Sequence, residues 1–210
     1  MMTADLAWLK DVLDGLLALS GFTLAVIAFY KGLLEWRVAQ RWKRAERLDS
    51  FIEGFEKDEM LRLACQILDW TVRSVDAPGG QGKVSWTSGD VLLALRVHYE
   101  HPGVQYDPPQ ALIRDALDRL LTFLGRLESA VTTGLVDADP TLAYFGYWLE
   151  RLQSMDMHTN HDPAAPAAMR HYVAAYGDAR AIDRLIELAD AKQRAQGERP
   201  GAASRAINGA

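Results

Sequence analysis

Residues 15–30, GLLALSGFTLAVIAFY, form an apolar run that has no counterpart elsewhere in the chain. The run holds no charged residue, no Pro, no Asn and no Gln. Apolar side chains therefore fall on every side of the helix that it predicts. A helix that is apolar all round is either buried in a protein core or spans a membrane. The run alone leaves both interpretations open, a transmembrane helix and a buried helix of a soluble bundle.

The flanks of the run favour a transmembrane helix over residues 13–34. This extension adds only Asp14 and Lys31, one charge near each end, where a side chain can reach the interface. Trp8 and Trp36 bracket the helix 28 residues apart. At ~1.5 Å per residue this is ~42 Å, close to the ~40–45 Å between the headgroup layers where Trp is enriched. Residues 1–12 are then a short N-terminus on one side of the membrane.

The charges beside the run predict its orientation. Residues 31–47 carry six basic and two acidic side chains, whereas the N-terminal side holds three Asp and one Lys. By the positive-inside rule, the N-terminus lies outside and the remainder in the cytoplasm. Between Tyr30 and Phe51 there is no Pro and a single Gly, Gly32, so we expect the helix to continue without a break into a basic juxtamembrane helix over residues 35–56. It either contacts lipid headgroups or carries the ordinary charge that sets topology. The residues assigned to headgroup contact are Arg37, Arg41, Lys43, Arg44 and Arg47.

Residues 57–196 predict a helical cytosolic domain, so the fold class is all-α, a single N-terminal transmembrane helix continuing into a cytosolic helical bundle. Helices are expected over Lys57–Val75 and from Asp107 to Thr133, with a brief extended piece at Lys83–Trp86. Asp107 can cap the second helix, with Pro108 in its first turn, and Gly134 can take the left-handed position after its end. On the second helix, Arg114–Asp118 and Asp115–Arg119 have the i,i+4 spacing of ion pairs. Its apolar residues repeat every three or four positions: Ile113, Leu117, Leu120, Leu124, Leu127 and Val131. The tail, residues 197–210, lacks apolar content and is predicted to be disordered.

Catalytic motifs are absent from the sequence. GGQGK at residues 79–83 lacks the strand and the Ser or Thr of a phosphate-binding loop. Cys65 lies in an apolar helical pattern and is read as a buried structural thiol. The nearest approach to a metal site is a weak one, His158, His161 and Asp162, in a Pro-flanked linker that is more simply solvated. No catalytic residue and no cofactor is assigned.

Small residues of the apolar run recur at spacings of 3, 4, 3 and 4. In lipid, close approach of backbones over small residues is the usual source of attraction between helices. We therefore expect a helix-packing seam toward a partner or a second copy, although Gly and Ala are also common in membrane helices. The seam consists of Ala18, Gly21, Ala25, Ala28 and Gly32.

Two longer segments resemble a known family. An N-terminal anchor followed by QRWKRAERLDSFIEGFEKDEMLRLACQILDW, and then RLESAVTTGLVDADPTLAYFGYWLERL, is similar to a bacterial domain-of-unknown-function family. The resemblance covers roughly residues 12–155. It implies one membrane helix, a small helical cytosolic domain and a location in the bacterial inner membrane. It implies no catalytic residues.

Two classes of function fit these features. The first is a membrane-anchored interaction module, an adaptor or assembly subunit whose partners are the lipid bilayer and a protein. The alternative is an enzyme or sensor with a site not visible in sequence, for which the loop His158–Asp162 is the candidate as a metal-dependent site. A soluble protein that binds nucleic acid through the basic helix is a distant third. Residues 49–196 hold 22 acidic and 14 basic side chains, which argues against nucleic acid as a partner.

Overall fold

The structure is a computed structural model that describes residues 2–69, 73–76, 82–154 and 162–197. Within these ranges, the side chains of residues 2–15, Ala18, Arg73, Gln193 and residues 195–197 lie outside the description. The chain divides into two compact units, residues 1–46 and 47–210.

The first unit is helical. It belongs to α1, an α-helix that runs without a break from Met2 to Lys57, as the absence of Pro and of a Gly-rich break predicted. From Leu19 to Arg47 nearly every side chain of α1 is exposed. Among the described residues, no helix combines the length and the hydropathy needed to cross a membrane. The predicted span, residues 13–34, includes residues 13–15 and Ala18, whose side chains are not described.

The second unit is built mostly from helices, so the predicted all-α fold class is confirmed. Its first residues are the last turns of α1. The elements that follow are α2 (Glu59–Asp69), β1 (Arg73–Asp76), β2 (Lys83–Trp86), α3 (Ser88–Ala94), a 3-10 turn (His98–Glu100), α4 (Pro108–Thr132), α5 (Ala138–Ser154), α6 (Ala165–Tyr176) and α7 (Ala179–Gly197).

Helix α4 is the centre of this unit and contacts α2, α3, α6 and α7. Five of the six apolar positions predicted from its repeat, Ile113 to Leu127, are buried, and Val131 is half-buried at the end. The buried cluster begins at Leu48 on α1 and includes Phe55. The ring of Phe55 lies 5.1 Å from that of Phe123 on α4 and 5.2 Å from that of Phe145 on α5. The last turns of α1 therefore belong to the domain core.

A two-stranded antiparallel hairpin interrupts the helices. Strand β1 pairs with β2 so that Arg73 faces Trp86 and Asp76 faces Lys83. The extended piece predicted at Lys83–Trp86 is confirmed, but the helix predicted over Lys57–Val75 is wrong at its end, because α2 stops at Asp69 and residues 73–76 form a strand. The pairing places Trp86 in the core, where it is 1 % exposed.

Helix termini follow local sequence. Asp107 is the N-cap of α4, with Pro108 in its first turn, and Gln110 completes a capping box. Gly134 adopts φ 69° just after α4, the left-handed conformation that Gly takes without a steric cost. Both features were predicted. The tail beyond Gly197 lies outside the described residues, so its predicted disorder is not addressed.

Candidate functional site

The exposed part of α1 carries a run of large exposed apolar side chains. We define the apolar segment as residues 16–30. The hydroxyl of Ser20 donates to the carbonyl of Leu17 at 2.9 Å, and that of Thr23 donates to the carbonyl of Leu19 at 2.8 Å. These hydroxyls are satisfied within the helix itself, so neither needs water. The large exposed side chains are Leu16, Leu17, Leu19, Phe22, Leu24, Val26, Ile27, Phe29 and Tyr30.

The predicted helix-packing seam lies open on this segment. Gly21, Ala25, Ala28 and Gly32 are all exposed. A Cβ added at Gly21 or Gly32 would meet no atom within 4 Å outside its own helical turn. The side chain of Ala18 lies outside the description. The described part of the seam is thus unfilled and sterically accessible to a second helix.

A basic face follows the apolar segment along α1. At the junction Lys31 and Glu35 pair at 3.8 Å, with both side chains exposed. Beyond them the predicted headgroup residues Arg37, Arg41, Lys43, Arg44 and Arg47 are all exposed. We define the basic face by the residues that line one shallow depression of about 280 Å³: Trp36, Arg37, Gln40, Arg41 and Arg44.

The structure does not show the three weak metal-site candidates, His158, His161 and Asp162, as a cluster, because only Asp162 is among the described residues. His158 and His161 lie outside the description. The carboxylate of Asp162 accepts a hydrogen bond from the backbone amide of Ala164 at 2.8 Å and so helps to start α6. Nowhere in the described ranges does a group of three His, Cys, Asp or Glu side chains stand close enough to hold a metal ion. The role visible for Asp162 is therefore a structural one.

Cys65 is buried in α2, as its apolar pattern predicted. Burial, with a smaller contribution from the carboxylate of Asp69, raises the pKa of its thiol to about 12. The thiol is therefore protonated at neutral pH and is a poor nucleophile. This agrees with a structural role for Cys65.

A cluster of Arg114 and three tyrosines lies at the C-terminal end of α3, and the sequence did not predict it. The guanidinium of Arg114 donates to the carbonyl oxygens of Ala94 at 2.7 Å and of Arg96 at 2.8 Å. Three tyrosine rings surround it at 4.6–5.1 Å from their centroids, those of Tyr106, Tyr172 and Tyr176. The carbonyls at a helix end need donors, and Arg114 supplies them from α4. The contacts of Arg114 join the end of α3 to α4 and α6, which is a structural role.

A groove of about 420 Å³ lies between α5, α6 and α7 in the second unit. Its buried floor includes Leu152, Val173 and Ile182. Three carboxylates of α7 line one side, those of Asp183, Glu187 and Asp190. Arg170 of α6 also lines the groove, so three carboxylates and one guanidinium flank its apolar floor. The sequence offered no signal for this groove because its lining comes from three separate helices.

No protein-family model matches the chain, and no similar curated protein or solved structure was found. The resemblance of residues 12–155 to a bacterial family therefore remains a prediction.

Proposed function

We propose that this protein is a membrane-anchored helical interaction module, an adaptor or assembly subunit of the bacterial inner membrane. The observation that carries the proposal is the exposure of the apolar segment on all sides of α1. The side chains of Phe22, Leu24 and Phe29 are each about two-thirds or more exposed. A continuous apolar surface of this kind is unfavourable in water, and the acyl chains of lipid can shield it because the segment carries no charge and its backbone is hydrogen-bonded within the helix.

The proposed topology places the N-terminus outside and the second unit in the cytoplasm. Its support is the excess of basic side chains after the apolar segment. Residues 13–34 are the proposed transmembrane helix. Arg37, Arg41, Lys43, Arg44 and Arg47 then lie at the level of the cytoplasmic headgroups.

Two surfaces serve interaction in this proposal. Within the bilayer, the helix-packing seam pairs with a transmembrane helix of a partner or of a second copy, since only small side chains stand between the backbones. In the cytoplasm, the second unit offers exposed helix surfaces around a core of its own. Nucleic acid is not proposed as a partner because this unit is acidic.

Extraction of native membranes with alkaline carbonate tests the anchor. The full chain is expected to stay in the pellet, because carbonate releases peripheral proteins but not embedded helices. A variant that lacks residues 13–34 is the control and should be released. Recovery of the full chain in the soluble fraction would refute the anchor.

Reporter fusions test the proposed topology. A reporter that works only in the cytoplasm should be active after Ala210 and inactive before Met1. A periplasmic reporter should show the reverse pattern. Activity of the periplasmic reporter at the C-terminus would refute the orientation.

A further inference from the structure

We infer that the basic face of α1 selects acidic phospholipids, rather than serving only as general topogenic charge. The inference rests on the proposed membrane anchor and names the lipid class that one surface of it recognises. It starts from the sequence between residues 36 and 45, which contains four basic and no acidic side chains. The nearest preceding acid, Glu35, is paired with Lys31.

The arginines of this face are spaced to act together. Arg37, Arg41 and Arg44 are separated by four and three residues, which puts them on the same side of an α-helix. All three are exposed and line the same depression. A guanidinium binds a phosphate through two parallel N–H donors, so three neighbouring guanidinium groups suit the phosphates of adjacent headgroups.

Two further side chains give the face its interfacial character. Trp36 is 60 % exposed, and an amphipathic Trp ring prefers the boundary between headgroups and acyl chains. Gln40 adds an uncharged amide whose N–H groups suit phosphate or glycerol oxygens. A face that pairs Arg with an exposed Trp, directly after an apolar helix, fits a lipid surface better than a nucleic acid.

The expected preference of the basic face for acidic over neutral lipid can be expressed as a fold-enrichment. A basic side chain near an acidic membrane surface contributes roughly 1 kcal/mol, which corresponds to about a fivefold change in partition. Neutral zwitterionic headgroups offer no net charge to this attraction. An acidic lipid should therefore be enriched at least about fivefold around the protein relative to the surrounding bilayer.

The test measures which lipids stay bound to the full chain. The protein is reconstituted into vesicles of nine parts phosphatidylcholine and one part phosphatidylglycerol, re-extracted in mild detergent, and its bound lipid is quantified by mass spectrometry. The variant R37Q/R41Q/R44Q removes three charges from the face. The control R126Q/R170Q/R180Q removes three exposed charges from the second unit, so the two variants have the same net charge.

We expect bound phosphatidylglycerol to be enriched in wild type and in the control, and to fall to the bulk ratio in the face variant. Raising NaCl to 0.5 M should reduce the enrichment in wild type, which tests the inference without any substitution. A bulk ratio in wild type, or an equal loss in both variants, would overturn it. Binding of a 30-base-pair DNA duplex that only the face variant loses, with bound lipid at the bulk ratio throughout, would assign the face to nucleic acid instead.

Failure of this inference is distinguishable from failure of the anchor. If the face does not select lipid, the face variant and wild type still resist carbonate equally. If the anchor itself is wrong, wild type is released by carbonate and does not enter the vesicles.

Discussion

Nη2 of Arg119 on α4 lies 2.7 Å from Oδ2 of Asp58, and the other carboxylate oxygen of Asp58 accepts hydrogen bonds from the backbone amides of Met60 and Leu61 at 2.9 and 3.2 Å. One side chain thus caps the start of α2 and joins it to α4. Burial alone would raise the pKa of Asp58, but the hydrogen bonds from Arg119 and from the two amides outweigh it and lower that pKa.

Substitutions at Asp58 should separate these two roles. Asp58→Ala loses both the cap and the ion pair, and we expect it to lower the free energy of unfolding by about 1–2 kcal/mol. Asp58→Asn keeps a capping oxygen and should cost less than about 1 kcal/mol. Thermal unfolding of the full chain in mild detergent, followed by near-ultraviolet circular dichroism, measures both. Equal destabilisation by the two variants would contradict the capping role.

The stability that Asp58 contributes through its pair with Arg119 should depend on pH in the acid range. Because the folded pKa of Asp58 is lowered, its stabilising contribution is present above the unfolded pKa of about 3.9 and is lost as pH falls through the folded value. The advantage of wild type over Asp58→Asn should therefore be constant from pH 7 to about pH 5 and vanish in stronger acid. A difference that persists at the lowest pH at which the chain stays folded would argue against the ion pair as its source.

Two tyrosines should make the free energy of unfolding fall at high pH. Burial, followed by the 2.6 Å hydrogen bond that Tyr172 donates to Asp118, raises the pKa of Tyr172. The hydrogen bond from Tyr144 to Glu56, with partial burial, raises the pKa of Tyr144 to about 12. Both contributions to stability are present below the unfolded pKa of about 10 and are lost as pH rises above it.

Tyr172→Phe tests this alkaline dependence. The variant should lose about 0.5–1.5 kcal/mol at neutral pH, because one hydrogen bond is removed. Its free energy of unfolding should then fall less steeply than that of wild type above pH 10. Tyr99→Phe, at an exposed position, serves as the control and should behave like wild type. Identical slopes in wild type and Tyr172→Phe would contradict the assignment.

The boundary between the two units predicts that residues 47–210 fold alone. The buried cluster begins at Leu48, so this fragment retains all of it. We expect the fragment to be soluble, helical and cooperative in melting. Phe55→Ala within it should cost about 3–5 kcal/mol, because the ring contacts Phe123 and Phe145 in the core. Aggregation of the fragment without a melting transition would show that the core needs the first unit.

Bulk introduced into the helix-packing seam should weaken association. Gly21→Ile with Ala25→Ile adds apolar volume, so the helix stays apolar while the close approach of a second backbone is blocked. The matched control is Ser20→Ile with Thr23→Ile, which adds bulk away from the seam. Crosslinking in native membranes should lose its oligomer band only in the seam variant. An unchanged pattern in both variants would leave this helix as a plain anchor.

Local sequence determined much of the domain by itself. Helix α4 was predictable because the spacing from Ile113 to Leu127 and the signals at Asp107 and Gly134 act within a few residues of one another. The uninterrupted course of α1 was predictable for the same reason, since residues 31–49 contain no Pro and a single Gly, Gly32. The structure does not test the seam and headgroup predictions, but it leaves their described residues exposed.

Tertiary structure alone decided which distant groups meet. The predicted pairs Arg114–Asp118 and Asp115–Arg119 do not form. Arg119 pairs with Asp58, Arg114 donates to carbonyls at the end of α3, and Asp118 accepts from Tyr172. An exposed i,i+4 pair contributes only about 0.2–0.5 kcal/mol, so a partly buried partner from another helix prevails. Strand β1 was missed for a similar reason, because four residues carry too little local preference and their conformation follows from pairing with β2.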